Sequence, residues 1–174
     1  RRLAHDREGV EFADLAINEL LRMHELAEQM LDVGRPRANA ISRCAPVIVA
    51  RDVVRLVTAG VPVDEFSVTV SGDAQLQAAM APDALKQVLL NLIQNAREAF
   101  RPREDGAGAL VDVVVASSTV DETAVTVAVQ DNGPGIAEGD LARVFDPFFS
   151  TKSDMQGVGL GLFVAEGLVR SAGG

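Results

Sequence analysis

The chain has 174 residues, enough for one ordinary domain and a modest extension. With 48% apolar residues, no Trp, no Tyr and seven Phe, it argues against disorder and for a core of Val, Leu, Ile and Ala. A net charge of −9 argues against affinity for nucleic acid or anionic membrane surfaces, and the single cysteine, Cys44, against a disulfide framework or thiolate metal cluster.

Residues 10–33 read as one helix, with Ile17, Leu20, Met23, His24, Ala27 and Leu31 on an apolar stripe at three- and four-residue spacing. Gly34 and Pro36 stop it, and its length suits a stalk or dimerisation arm, which places a domain boundary near 36. From 37 onward the pattern is mixed. Pro46 to about Thr58 reads as an apolar helix, and Phe66, Val68 and Val70 alternate as a strand with a hairpin partner expected at Leu76–Met80. Pro82 suits the first turn of a helix continuing to Phe100, with Asp83 reinforcing its N-terminal end. A flexible loop is expected at 103–109, then Val-rich strands at Leu110–Ala116 and Ala124–Gln130 turning at Asp121–Thr123. Shorter helices are expected at Asp140–Val144 and Gly159–Ser171. No apolar run approaches the roughly 20 residues that span a bilayer, and RRLAHDREGVEF lacks the apolar stretch of a signal peptide. The expectation is a soluble, cytoplasmic fragment with a buried thiol at Cys44 and no membrane contact of its own, whatever anchor the full-length protein carries.

Four segments of the second half carry chemistry: NLIQNA (91–96), DNGPGI (131–136), FDPFFSTK (145–152) and GVGLGL (157–162). Asn91 and Asn95 stand four apart and share one helix face, with Leu89, Leu92, Ile93 and Ala96 on the core side. An amide oxygen is a hard, neutral ligand suited to a magnesium ion bridging phosphates, although two polar residues on a solvated face would look the same. Asp131 ends a strand, where its carboxylate can accept from an exocyclic amine such as that of adenine. Gly133 and Gly135 allow close backbone approach to a flat ligand, against the plain reading of an Asp-Asn-Gly turn. Gly157, Gly159 and Gly161 precede an apolar helix, where bare N–H groups can hold polyphosphate, with Lys152 a nearby positive charge. The segment is neither a dinucleotide fingerprint nor a P-loop, since it follows no first strand of a βαβ unit and lacks the Gly-Lys-Ser/Thr ending.

In this order the segments resemble the N box, first glycine box, F box and second glycine box of the sensor histidine kinases. That family lies within the wider gyrase, chaperone, kinase and mismatch-repair ATPase superfamily. The resemblance covers roughly residues 37–174, and FFSTK is similar to the nitrogen-regulation and oxygen-sensing subgroup. It implies an α/β fold, a Bergerat-type two-layer sandwich with a mixed β-sheet packed on helices, preceded by a long dimerisation-type helix. ATP and Mg2+ are the implied cofactors. Asn95 would bind the metal, with Asn91 beside it near the phosphates and Glu98 a candidate contact to a protein nucleophile or water. Asp131 would hold the adenine amine in a pocket shaped by Gly133, Gly135 and Ile136, while Lys152, Gly157, Val158, Gly159, Leu160 and Gly161 would meet the phosphates. Phe145, Phe148 and Phe149 would anchor a short lid between about 137 and 158.

One residue separates kinase from hydrolase. The gyrase-like ATPases resemble this site but place a Glu, as general base for water, where this chain has Asn91, and an amide cannot accept a proton at neutral pH. Phosphoryl transfer to a protein side chain is therefore expected over hydrolysis, with catalysis from positioning and charge stabilisation. Residues 1–36, ending in Arg35-Pro36, resemble the second helix of the phosphoacceptor hairpin, which implies a homodimer through this helix and a response regulator receiver domain as partner. His24 lies on the apolar stripe and reads as structural; His5 precedes Asp6 but lacks the following Pro and the chain length of a full hairpin. The acceptor is thus expected outside these residues, as are the two strands that usually follow a Gly-Gly like 173–174. The alternatives are a nucleotide-binding scaffold that signals without catalysis, and an ATP-hydrolysing clamp.

Overall fold

In the computed structural model the described residues are 42–100, 108–121, 123–151 and 159–174, all in the second of the two units into which the chain divides, 39–174. The stripe at 10–33, His5, His24, and the site candidates Lys152, Gly157 and Val158 lie outside the described residues.

Helix α1 (Pro46–Val57) opens on a proline, whose fixed φ suits a first turn and whose missing N–H would have lacked a helical partner there. Thr58 closes it by donating from both its N–H (3.0 Å) and its hydroxyl (2.7 Å) to the Val54 carbonyl. Helix α2 (Pro82–Ala99) repeats this opening at Pro82, carries Asp83 in its first turn and Arg97 in its last, and ends where Phe100 turns extended. Val49, Ala50 and Val53 of α1 join one core with Leu85, Leu89 and Ile93 of α2.

The sheet has three described strands, β1 (Phe66–Gly72), β2 (Ala109–Ser117) and β3 (Val125–Asp131), in that spatial order. β1 and β2 are parallel, Val68 opposite Val111, and the crossover that parallel neighbours require contains α2. β2 and β3 are antiparallel, Val113 opposite Val129, as expected for Val-rich strands joined by a short turn. In that turn Asp121 accepts from the N–H (2.8 Å) and hydroxyl (2.6 Å) of Thr123; the hydroxyl bond first and the N–H bond second hold this exposed carboxyl below its usual range. Along β2, Ala109, Val111, Val113 and Val115 are buried under the helices while Leu110 and Asp112 face out. On that outer face the Thr69 hydroxyl donates to Asp112. The result is a mixed sheet with helices on one side, the two-layer arrangement the motifs implied.

Four expectations need correction. Leu76–Met80 is not a hairpin partner of β1: the described neighbour of β1 is the parallel strand β2, so close that a β-carbon on Gly72 would stand 2.1 Å from the Val115 carbonyl oxygen. The segment instead turns back at Asp73, whose carboxylate accepts from Gln75 N–H, and Ala78 bridges Cys44 through two backbone bonds of 2.9 and 3.1 Å. Ala109 is not loop but the buried start of β2. Asp140–Val144 forms only a single 3-10 turn, Leu141–Arg143; Pro147 follows, restricting Asp146 and ending any helical continuation. The last helix, α3 (Gly161–Ser171), starts two residues later than expected because Gly159 has φ +72, outside helical space. Its Val164, Ala165 and Leu168 join the core, where α3 packs on α2. No helix of the described residues is long and apolar enough to cross a membrane.

Candidate functional site

The start of α3 lies directly on the asparagine face of α2. Asn91 Nδ2 donates to the Gly161 carbonyl at 3.0 Å, and Asn91 Oδ1 accepts from Gln87 Nε2 at 3.3 Å. A β-carbon on Gly161 would stand 3.6 Å from Asn95 Nδ2 and 3.8 Å from Asn91 Cβ. NLIQNA and GVGLGL, 60 or more residues apart in sequence, thus meet through one glycine. The two asparagines differ in state. Asn91 is only 7% exposed and its amide is occupied at both ends, whereas Asn95 is half-buried and its side chain makes no hydrogen bond among the described residues. The shared face expected from their spacing is therefore split by α3, which covers Asn91 and leaves the Asn95 amide available.

Asp131 ends β3, and its Oδ1 accepts from Gly133 N–H at 2.8 Å, an Asx turn that aims the chain back toward α2. A β-carbon on Gly133 would stand 2.7 Å from Asp131 Oδ1, so any other residue would push this carboxylate aside, and 3.9 Å from Ala99 Cβ in the last turn of α2. Asp131 itself is exposed, so its second carboxylate oxygen remains open to a donor. Gly135 has φ +74 with nothing within 4 Å of a β-carbon, and Ile136 beside it is 53% exposed, an open, partly apolar wall.

Asn132 is a residue the sequence reading missed. Its Oδ1 accepts from Leu110 N–H (2.9 Å), its Nδ2 donates to the Gly108 carbonyl (3.1 Å), and its own N–H reaches the Leu110 carbonyl (3.2 Å). These bonds staple the end of β3 to the start of β2 and so hold Asp131 in place. The only local signal was an Asn after a strand-ending Asp; its partners lie 22 and 24 residues away.

The phenylalanine segment behaves differently from expectation. Phe145 and Phe148 are 48% and 62% exposed, while Phe149 packs under the Arg143 guanidinium at 4.6 Å from the ring centre. The anchor is backbone instead: Phe148 N–H donates to the Gly159 carbonyl at 3.0 Å, with Phe148 held at φ +66, a costly conformation for a residue with a β-carbon. A β-carbon on Gly159 would fall 2.4 Å from the Phe149 carbonyl oxygen, so glycine permits this contact. Leu160 next to it is 3% exposed with its side chain in the core, which leaves only backbone to meet a ligand. Glu98 is exposed near the end of α2, where it lines an open depression with Gln94 and Arg97.

The structure thus gathers Asn91, Asn95 and Gly161 where α3 begins on α2, and brings Gly133, bonded to Asp131, beside Ala99, one turn beyond Asn95. The arrangement offers a neutral amide ligand, one open carboxylate oxygen and glycine-bared backbone. Among the described residues no three His, Cys, Asp or Glu side chains come together to hold a metal. A cation here would take Asn95 from the protein and most of its ligands from phosphate oxygens, which suits magnesium and its preference for substrate phosphates.

Comparison with known proteins agrees with this fold. The sequence profile described as Histidine kinase-, DNA gyrase B-, and HSP90-like ATPase matches residues 80–174. The chain is 38% identical over 102 residues, 59% of its length and 16% of the relative's, to the C4-dicarboxylate transport sensor protein DctB of Pseudomonas aeruginosa. It is 30% identical over 168 residues, 96% of its length and 34% of the relative's, to the sensor histidine kinase ZraS of Salmonella typhimurium. The chain therefore spans about a third or less of the length of these curated relatives. Its fold is similar to that of the mycobacterial sensor histidine kinase MprB, with TM-score 0.61 and 25% identity over 77% of this chain and 81% of that one.

Proposed function

The chain belongs to the family of histidine kinase-, DNA gyrase B- and HSP90-like ATPases, and we propose that within it the chain is the ATP-binding catalytic domain of a protein-histidine kinase in a two-component phosphorelay. The observation that carries this reading is the contrast on α2: Asn95 presents a free amide beside the α3 start, while position 91 holds a buried, hydrogen-bonded amide and no carboxylate base. Without a base for water, a bound nucleotide is preserved for transfer.

Asp131 accepts from the adenine amine through its open oxygen, and Gly133, Gly135 and Ile136 form the wall against the ring. The backbone from Gly159 to Gly161 faces the phosphates, joined on the sequence resemblance by Lys152, Gly157 and Val158. Asn95 would hold the magnesium ion, which when bound neutralises phosphate charge. An imidazole nitrogen of a His on the dimerisation hairpin attacks the γ-phosphorus; the bond to the β,γ-bridging oxygen breaks and ADP leaves. Glu98, exposed near the end of α2, is the candidate contact to that His. Residues 1–36 would supply the second hairpin helix of a homodimer, and a response regulator receiver domain would take the phosphoryl group. This work is assigned to the cytoplasm.

Labelled Mg-ATP, given to the chain alone and with a separately supplied hairpin carrying an acceptor His, tests the reading. Acid-labile label on the hairpin is the expected result. Tight binding without transfer would establish the scaffold instead, and rapid phosphate release an ATPase.

A further inference from the structure

Asn91 is the buried polar side chain of the described core, and a buried amide is retained at low cost only when its donors and acceptor are engaged. Here they link three residues: Gln87 donates to Asn91 (3.3 Å), and Asn91 donates to the Gly161 carbonyl (3.0 Å). Gln87 and Asn91 lie one helical turn apart on α2, and Gly161 is the first residue of α3. A carbonyl has two lone pairs, so Gly161 can accept this bond and still serve its own helix. The strap acts where position matters most, because the Gly161 β-carbon site is 3.6 Å from Asn95 Nδ2.

We propose that Asn91, oriented by Gln87, is a positioning residue that sets the first turn of α3 against Asn95, and does not itself meet the nucleotide. The functional half of this proposal rests on the nucleotide reading above; the strap itself does not. The ionisable residues of the two helices that meet here are exposed (Asp83, Lys86, Arg97, Glu98 and Arg170) or half-buried (Glu166), so Asn91 is the buried polar side chain of this contact.

The test is N91D, followed by hydrogen exchange of the α3 first turn without nucleotide and by ATP affinity, each across pH 5 to 8. An ionised carboxylate faces the Gly161 carbonyl as acceptor to acceptor, so near pH 8 exchange should quicken and affinity fall, each about tenfold. As pH falls the aspartate protonates, donates again, and both values should return toward those of the parent protein. A merely structural loss would not recover in this way. Q87L, a change at a half-buried position, should fold and give a smaller shift of about threefold in both readouts. Parental exchange in Q87L, absence of acid recovery in N91D, or a gain of ATP hydrolysis by N91D would each overturn the proposal. Failure of the parent protein to bind ATP would instead refute the nucleotide reading, leaving the exchange result to judge the strap.

Discussion

Replacing Gly159 with alanine places a β-carbon 2.4 Å from the Phe149 carbonyl oxygen and 2.6 Å from the Phe148 carbonyl carbon, both backbone atoms that cannot rotate away. It also asks an L-residue to hold φ +72, which by itself costs about 1 kcal/mol. Gly135 supplies the control: its φ is +74, yet nothing lies within 4 Å of its β-carbon site, so alanine there meets only the conformational cost. Overpacking adds about 1–3 kcal/mol at Gly159, for a total of roughly 2–4 kcal/mol against about 1 kcal/mol at Gly135. In a protein of this size that corresponds to a Tm lower by roughly 4–16 °C for G159A and about 2–4 °C for G135A. Calorimetry on both variants, with ATP affinity by titration, is the assay. The affinity of G159A should also fall, because the Phe148–Gly159 bond that fixes this backbone must open. Equal Tm losses in the two variants, with parental affinity in G159A, would refute the contact and its assigned role.

D131N keeps the Asx turn, since an amide oxygen can still accept from Gly133 N–H, but loses the charged acceptor; ATP affinity should fall about tenfold or more at unchanged Tm, and parental affinity in a titration would remove the adenine assignment. Because the Asn95 side chain makes no hydrogen bond among the described residues, N95A should shift stability by no more than about 0.5 kcal/mol while abolishing magnesium-dependent transfer; full transfer by this variant would remove the metal assignment. N132A loses the staple between β2 and β3 and should cost about 1–3 kcal/mol in denaturant unfolding, with weaker ATP binding as Asp131 loosens. Burial pushes the Cys44 thiol up, so its folded form holds the proton more tightly than its unfolded form. Its contribution to stability is complete below the ordinary thiol pKa and is lost as pH rises through the raised value. Alkylation at pH 8 should accordingly be far slower in the native protein than in urea, and equal rates would show the thiol to be exposed.

Much of this molecule was determined locally. Pro46 and Pro82 start helices wherever they are placed, because a fixed φ and an absent N–H are properties of the residue. The Val-rich runs of β2 and β3 alternate with a period that any covered sheet face selects, and the order of the four motifs was enough to name a nucleotide site. Pairing was not legible. The alternation in β1 suits a hairpin and a parallel crossover equally, and only the closure of β2 against Gly72 chose between them. Burial of polar groups was not legible either. Asn91 and Asn95 are the same residue type on the same helical spacing, and nothing in their neighbours distinguishes them. What separates them is α3, arriving from 70 residues beyond Asn91 to cover one amide and leave the other open. Asn132 follows the same rule, its partners lying on a strand that precedes it by more than 20 residues. Sequence by itself determined the elements and the chemistry, through torsional preference and side-chain type. Tertiary structure alone decided which of those groups are engaged in holding the fold and which are left to hold a ligand, because hydrogen bonds and desolvation depend on what the rest of the chain brings within reach.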